Sequence, residues 1–141
     1  MAYVPGSIEA VARKAGRVVA RHRIETAGQP VALRLEADDE MWRADGTDLQ
    51  HVRVYAVDSK GRRSPMAQQL LTCSLEGDAS LAALGNGDLT GDDLPTGIRQ
   101  HLFRGSALAI LRAGYTPSKV QLIVSAPGLK GASLKLQTTG K

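Results

Sequence analysis

In one short segment after another, apolar residues fall at every second position, and a turn-forming residue closes each segment. Over Ala32–Asp38, Leu33, Leu35 and Ala37 alternate with Arg34, Glu36 and Asp38. Val52, Val54 and Ala56 share one face of His51–Asp58, and Leu71, Cys73 and Leu75 share one face of the segment after Pro65. Leu81–Leu84 and Ala107–Arg112 are short apolar runs. Val120, Leu122, Val124 and Ala126 alternate again, as do Ala132, Leu134 and Leu136. Between these segments stand Asp45-Gly46, Ser59-Lys60-Gly61, Glu76-Gly77-Asp78, Asn86-Gly87 and Pro127-Gly128, all sequences that favour chain reversal. A period of two sends alternate side chains to opposite faces of a pleated strand, so each segment has one face to bury.

About seven such strands, with a turn roughly every 8–15 residues, predict an all-β chain, an antiparallel β-sandwich of immunoglobulin type. The disulfide-bridged variety is excluded, because Cys73 is the only cysteine. Flanked by Leu71 and Leu75, its thiol is expected in the core. A chain of 141 residues, 43% apolar and 23% charged, can close a real core, since a domain of this size hides roughly two-thirds of its unfolded surface. No apolar run approaches the ~18 residues of a membrane span. Residues 1–15 carry polar and charged residues and show no signal peptide.

The chain is organised around Leu84–Leu111. Gly85, Asn86, Gly87 and Asp88 form a tight-turn sequence. A long polar connection follows, of the kind that crosses from one sheet to the other, and Gly105 introduces the core run Ser106–Leu111. Arg99 is expected to anchor this connection through hydrogen bonds to carbonyls rather than to bind substrate.

The N-terminal segment supports two readings. Ile8, Val11, Ala12, Ala15, Val18, Val19 and His22 recur at helical spacing, with Ser7 placed as an N-cap, and pattern alone slightly favours this basic amphipathic helix. The alternative is a hairpin of Ser7–Arg13 and Arg17–Thr26. Lys14-Ala15-Gly16 is then its turn, and Val18, Ala20, His22 and Ile24 lie along one face. Gly16 costs a helix about 1 kcal/mol but suits the turn. Thr26–Pro30 reads as a linker. The formal charge of +4 is concentrated here: residues 1–30 hold five basic and two acidic side chains, and the rest is nearly neutral.

The turn Gly85-Asn86-Gly87-Asp88, followed by Arg99, Phe103, Gly105 and Ala107-Leu108-Ala109-Ile110, resembles the C-terminal immunoglobulin-like domain of glycoside hydrolase family 2 enzymes of the β-galactosidase type. Ala44-Asp45-Gly46-Thr47-Asp48-Leu49, Val52-Arg53-Val54 and Ser125-Ala126-Pro127-Gly128-Leu129-Lys130 extend the resemblance over most of residues 30–138. The resemblance implies that residues 1–28 are the tail of a preceding β-sandwich domain, which favours the hairpin. Residues 29–138 are then the immunoglobulin-like domain and 139–141 a tail. It implies a bacterial parent glycosidase, periplasmic or secreted, whose catalytic glutamates lie in an upstream barrel. No compartment is implied for the fragment itself. The partners implied are the parent's other domains, a second copy in an oligomer, or carbohydrate.

The residues themselves point to no catalytic constellation. Glycoside hydrolysis needs two carboxyl groups about 5–9.5 Å apart across a cleft, whereas Asp38, Asp39, Asp45, Asp48, Asp58, Asp78, Asp88, Asp92 and Asp93 sit mainly beside turns, where Asp bonds nearby amides. Sugar binding needs exposed aromatic platforms, and the candidates are Trp42 and Tyr55. Asp88–Asp93 lacks the ligand spacing of a calcium loop. His22, His51 and His101 are scattered, so no zinc site is expected. No cofactor is expected, since the only Gly-rich turn leads into a loop and not a helix. Nucleic-acid binding would require the basic helix at residues 7–23 and is not expected of a hairpin. An adhesin-type immunoglobulin-like or carbohydrate-binding module is the alternative function.

Overall fold

Ten strands and no helix are found in the computed structural model, which describes residues 4–39 and 41–140. Tyr3 and Lys141, at the ends of the two expected tails, lie outside the described residues. Strands β1 (Ser7–Lys14) and β2 (Arg17–Glu25) form a sheet of their own. The other eight are β3 (Ala32–Ala37), β4 (Leu49–Val57), β5 (Leu70–Glu76), β6 (Ala79–Gly85), β7 (Arg99–His101), β8 (Ser106–Ala113), β9 (Lys119–Ala126) and β10 (Leu129–Gln137). They run in the order β6-β8-β4-β3-β10-β9-β5-β7. Every pairing in that order is antiparallel except the join of β3 to β10, a single parallel rung at Ala32 and Lys130.

Folded at that join, the order makes the two facing sheets of an immunoglobulin-type sandwich, β3-β4-β8-β6 against β10-β9-β5. The core lies between them. Val52, Val54 and Ala56 of β4 and Ala109 and Leu111 of β8 meet Leu71 and Cys73 of β5 and Val120, Leu122 and Val124 of β9. These are the alternate residues of each strand, so the period of two in the sequence is the physical cause of the layering. Burying each Val or Leu contributes about 1.5–3 kcal/mol.

The sequence misses one strand. β7 has only three residues, and only Gln100 points inward, so no alternation marks it. It pairs with β5 at Leu70–Thr72 and adds an edge to the second sheet. The connection from β6 to β8 therefore crosses to the opposite sheet and back, carrying β7 at its far end. Thr139 pairs with Arg43, so ordered pairing runs one residue past position 138.

The hairpin reading holds for the N-terminus. Ala15 (φ 50°) and Gly16 (φ 78°) both take positive φ, as a tight two-residue hairpin turn requires. One detail departs from expectation. A bulge after Ala12 pairs Val18 with Arg13, which removes Val18 from the row of Ala20, His22 and Ile24. Ile8, Ala10 and Ala12 stand opposite Ile24, His22 and Ala20 and form an aliphatic face. Glu9, Val11 and Arg13, opposite Arg23, Arg21 and Val18, form a charged one. Nothing covers either: every residue of β1 and all of β2 before Glu25 are exposed.

Candidate functional site

Trp42 and Tyr55, the two candidates for carbohydrate contact, are both buried. Trp42 is 1% exposed and belongs to the core, where its indole N–H donates to the Asp48 carbonyl at 3.1 Å. Its own carbonyl accepts from the amide of Thr139 at 2.8 Å. Tyr55 points to the outer side of β4, yet it is buried. The Arg63 guanidinium lies 4.0 Å over its ring, a cation–π contact that occupies the face a sugar would use. The Tyr55 hydroxyl donates to Glu36, and this bond, ahead of the nearby arginines, holds the Glu36 carboxyl below the usual carboxylate range.

The connection after β6 is braced by its own polar residues. Gly85 ends β6, and Gly87 takes φ 77°. Asn86 Nδ2 donates to the His101 carbonyl at 2.9 Å, and its Oδ1 accepts from the Asp88 amide at 2.8 Å. Asp88 Oδ1 accepts from the amide and hydroxyl of Thr90. Asp93 Oδ2 accepts from the His101 amide at 2.7 Å and lies 2.9 Å from its ring Nδ1. Arg99 opens β7 opposite Thr72 with its side chain exposed, so the anchoring bonds come from Asn86, Asp88 and Asp93. A cleft of about 430 Å³ in this loop is lined by Asn86, Asp88, Asp92, Asp93, His101 and Phe103, among others. Bonds from Thr90 hold the Asp88 carboxyl below its ordinary range, and bonds from His101 do the same for Asp93. A glycosidase acid needs the opposite shift, upward. Asp45 and Asp48 likewise accept from backbone amides of their turn, and Asp78 accepts from the Thr116 amide of a neighbouring one. Among the described residues, no group of three or more His, Cys, Asp or Glu is positioned to hold a metal ion. Cys73 is buried, and burial pushes its thiol up to about 11, which leaves it protonated and inert at neutral pH.

Gly105 fixes how that connection returns to the core. Arg104 and Gly105 both have positive φ, and a Cβ on Gly105 would stand 2.1 Å from the Ser64 carbonyl oxygen. Only glycine fits where two backbones approach so closely.

The polar cluster that sequence reasoning missed is at the base of the hairpin. Asp58, 3% exposed, accepts through Oδ2 from the Gly28 amide (2.8 Å) and Arg62 Nε (2.8 Å). Its Oδ1 accepts from the amides of Lys60 and Arg62, each at 2.9 Å. These bonds, the one from Gly28 first, hold its carboxyl far below the usual range. Ser64 Oγ donates to the Gly28 carbonyl at 2.7 Å, and Arg62 Nη1 reaches Glu25 at 3.0 Å. Both backbone groups of the linker glycine are thus held by the sandwich. The one local signal was Arg62 four residues beyond Asp58 across the turn; Gly28 and Glu25 lie too far back for any pattern to link them.

The arrangement, then, is a closed sandwich with turn-bound carboxylates, carrying an uncovered hairpin on a clamped linker. Residues 33–135 match the family described as Glycoside hydrolase family 2 C-terminal domain 5. The chain is 33% identical to the β-galactosidase BoGH2A of Bacteroides ovatus over 95% of its own length and 16% of that protein. It is 30% identical to a β-glucuronidase of Formosa agariphila, over 81% of this chain and 12% of that one. A crystal structure of a glycosyl hydrolase family 2 member from Bacteroides cellulosilyticus superposes with a TM-score of 0.90 and 30% identity, covering 99% of this chain and 18% of that one. The chain therefore spans less than a fifth of these relatives; the superposition, which covers 99% of this chain, takes in the hairpin, and the family match begins after it. On the family match and these likenesses together, the chain belongs to glycoside hydrolase family 2, as that family's C-terminal domain 5.

Proposed function

We propose that this chain is a non-catalytic C-terminal module of a β-galactosidase-like glycoside hydrolase, and that residues 1–28 are the last hairpin of the domain before it. The observation that carries the reading is the hairpin. A two-stranded ribbon is marginal in water at best, and this one exposes Ile8 at 77% and Ile24 at 64%. Such a ribbon is explained if the missing cover is another part of a longer chain, and the long relatives have one. The role is structural: to pack against neighbouring domains, to shape the periphery of a distant cleft, or to make contacts in an oligomer. The turn-bound carboxylates support a non-catalytic role, since they are already committed to backbone amides. The relatives are named for two different sugars, so the module does not specify which one the parent cleaves.

Deleting residues 29–141 from the full-length enzyme tests this. The deletion is expected to lower thermal stability, disrupt assembly or narrow the substrate range. A truncated enzyme unchanged in all three would refute the reading. On a glycan array, the isolated chain is expected to show no saturable binding.

A further inference from the structure

Beside the clamped linker lies an open groove of about 690 Å³ between residues 24–28 and 63–66. Pro5, Ile24 and Ala27 line one side, and Pro65 and Met66 the other. Met66 is 84% exposed. Ile24 belongs both to this groove and to the aliphatic face of the hairpin, so the two are one surface. It runs from Ala12 and Ala20, past Ile8 and Ile24, onto the sandwich at Pro65 and Met66. Glu25, Thr26 and Arg63 share the lining of the groove, and exposed apolar side chains rimmed by polar ones mark an interaction site. Asp58 and Ser64 grip Gly28, and Arg62 grips Glu25, at the point where this surface bends from one body to the other.

We propose that Pro65 and Met66 are the sandwich's own share of the interface with the preceding domain. The sheet that covers the hairpin also seats an aliphatic side chain in the groove, and Asp58 is the positioning residue that keeps both halves of the surface in one orientation. This rests on the reading of the hairpin given above. The occupant follows from continuity: whatever covers Ile24 abuts Met66. Its chemistry follows from the surface, which carries His22 as the one polar side chain among six paired residues of the hairpin face. Its direction follows from the family, whose C-terminal domains have the rest of the enzyme upstream.

Oxidation by hydrogen peroxide, read by peptide mass spectrometry on the 141-residue chain and on the full-length enzyme, tests this. In the chain alone, Met66 is expected to oxidise about as fast as Met41, which is 73% exposed. In the full-length enzyme Met66 is expected to slow at least tenfold. Equal Met66 rates in the two proteins overturn the proposal. Amide exchange of β1 and β2 in the same samples separates the two ideas. A protected hairpin with a reactive Met66 leaves the domain reading intact and removes the groove. A hairpin equally unprotected in both proteins removes the domain reading. Full-length Asp58→Asn is expected to restore Met66 reactivity several-fold while β1 and β2 stay protected. Unchanged protection of Met66 in that variant overturns the role of Asp58.

Discussion

The pairs β1–β2 and β3–β4 are both antiparallel ladders of alternating strands. The first has eight registered rungs and the second six. By length of ladder alone the hairpin is the longer element. By burial the ranking reverses. Every buried apolar residue of the described chain lies at or after Leu33, and none lies in the hairpin. A ladder exchanges bonds to water for bonds to protein at small net gain, and exposed cross-strand pairs add roughly 0.2–1 kcal/mol each. What stabilises β4 is the sheet that faces it across the core. The difference teaches that a ladder is not a core: the sandwich buries its apolar rows against its own facing sheet, whereas the apolar row of the hairpin stays open to solvent.

That contrast can be broken at its strong side first. Trp42→Ala removes the largest fully buried side chain and is expected to cost about 3–5 kcal/mol, read as a lower urea midpoint. Gly105→Ala places a Cβ against the Ser64 carbonyl on a positive-φ residue and is expected to cost roughly 2–3 kcal/mol. If either variant melts like the parent chain, the close packing of the sandwich is misdescribed.

The joint between the two regions has a pH signature. The Asp58 carboxyl is held well below the ordinary aspartate range, by the Gly28 amide first. The folded state therefore binds the Asp58 proton less readily than the unfolded state. Its stabilising effect is complete above about pH 4–5 and is lost as pH falls through the ordinary carboxylate range toward the depressed folded value. Asp58→Asn is expected to lower the urea midpoint at pH 7, with the gap to the parent chain closing below pH 4. A gap that stays constant from pH 7 to pH 2.5 would show that the carboxylate charge is not what the clamp uses. At the weak side, Ile8→Ser with Ile24→Ser is expected to change the stability of the isolated chain by less than about 0.5 kcal/mol, because neither side chain is buried. A loss as large as that of Trp42→Ala would mean that the hairpin is part of the core.

How much of this was legible in the sequence depended on the range of the interactions involved. Strands with an inward row, such as Val52-Val54-Ala56, were readable because alternation is local. The N-terminal segment satisfied both periods, since Ile8, Ala12 and Ala15 fit a helix and Ile8, Ala10 and Ala12 fit a strand. Ala15 and Gly16 at positive φ decide it in the structure. Trp42 was ambiguous because nothing local marks its burial: the core that encloses it is assembled from several strands, and the bonds to its carbonyl come from Thr139, 97 residues later in the chain. Asp58 read as one turn aspartate among many, since the bond that distinguishes it comes from Gly28, 30 residues upstream. β7 left no trace because a three-residue edge strand has one inward side chain.

Residue-by-residue amide hydrogen exchange on the 141-residue chain, at pH 7 and 25 °C, puts the two regions in a single measurement. Amides of β4, β8 and β9 are expected to exchange only through global unfolding. Those of β1 and β2 are expected to exchange many orders of magnitude faster, close to unstructured rates, because nothing opposes local opening of the ribbon. Protection of β1 and β2 equal to that of Val52 and Leu122 would contradict the account, since the hairpin would then be complete without a partner.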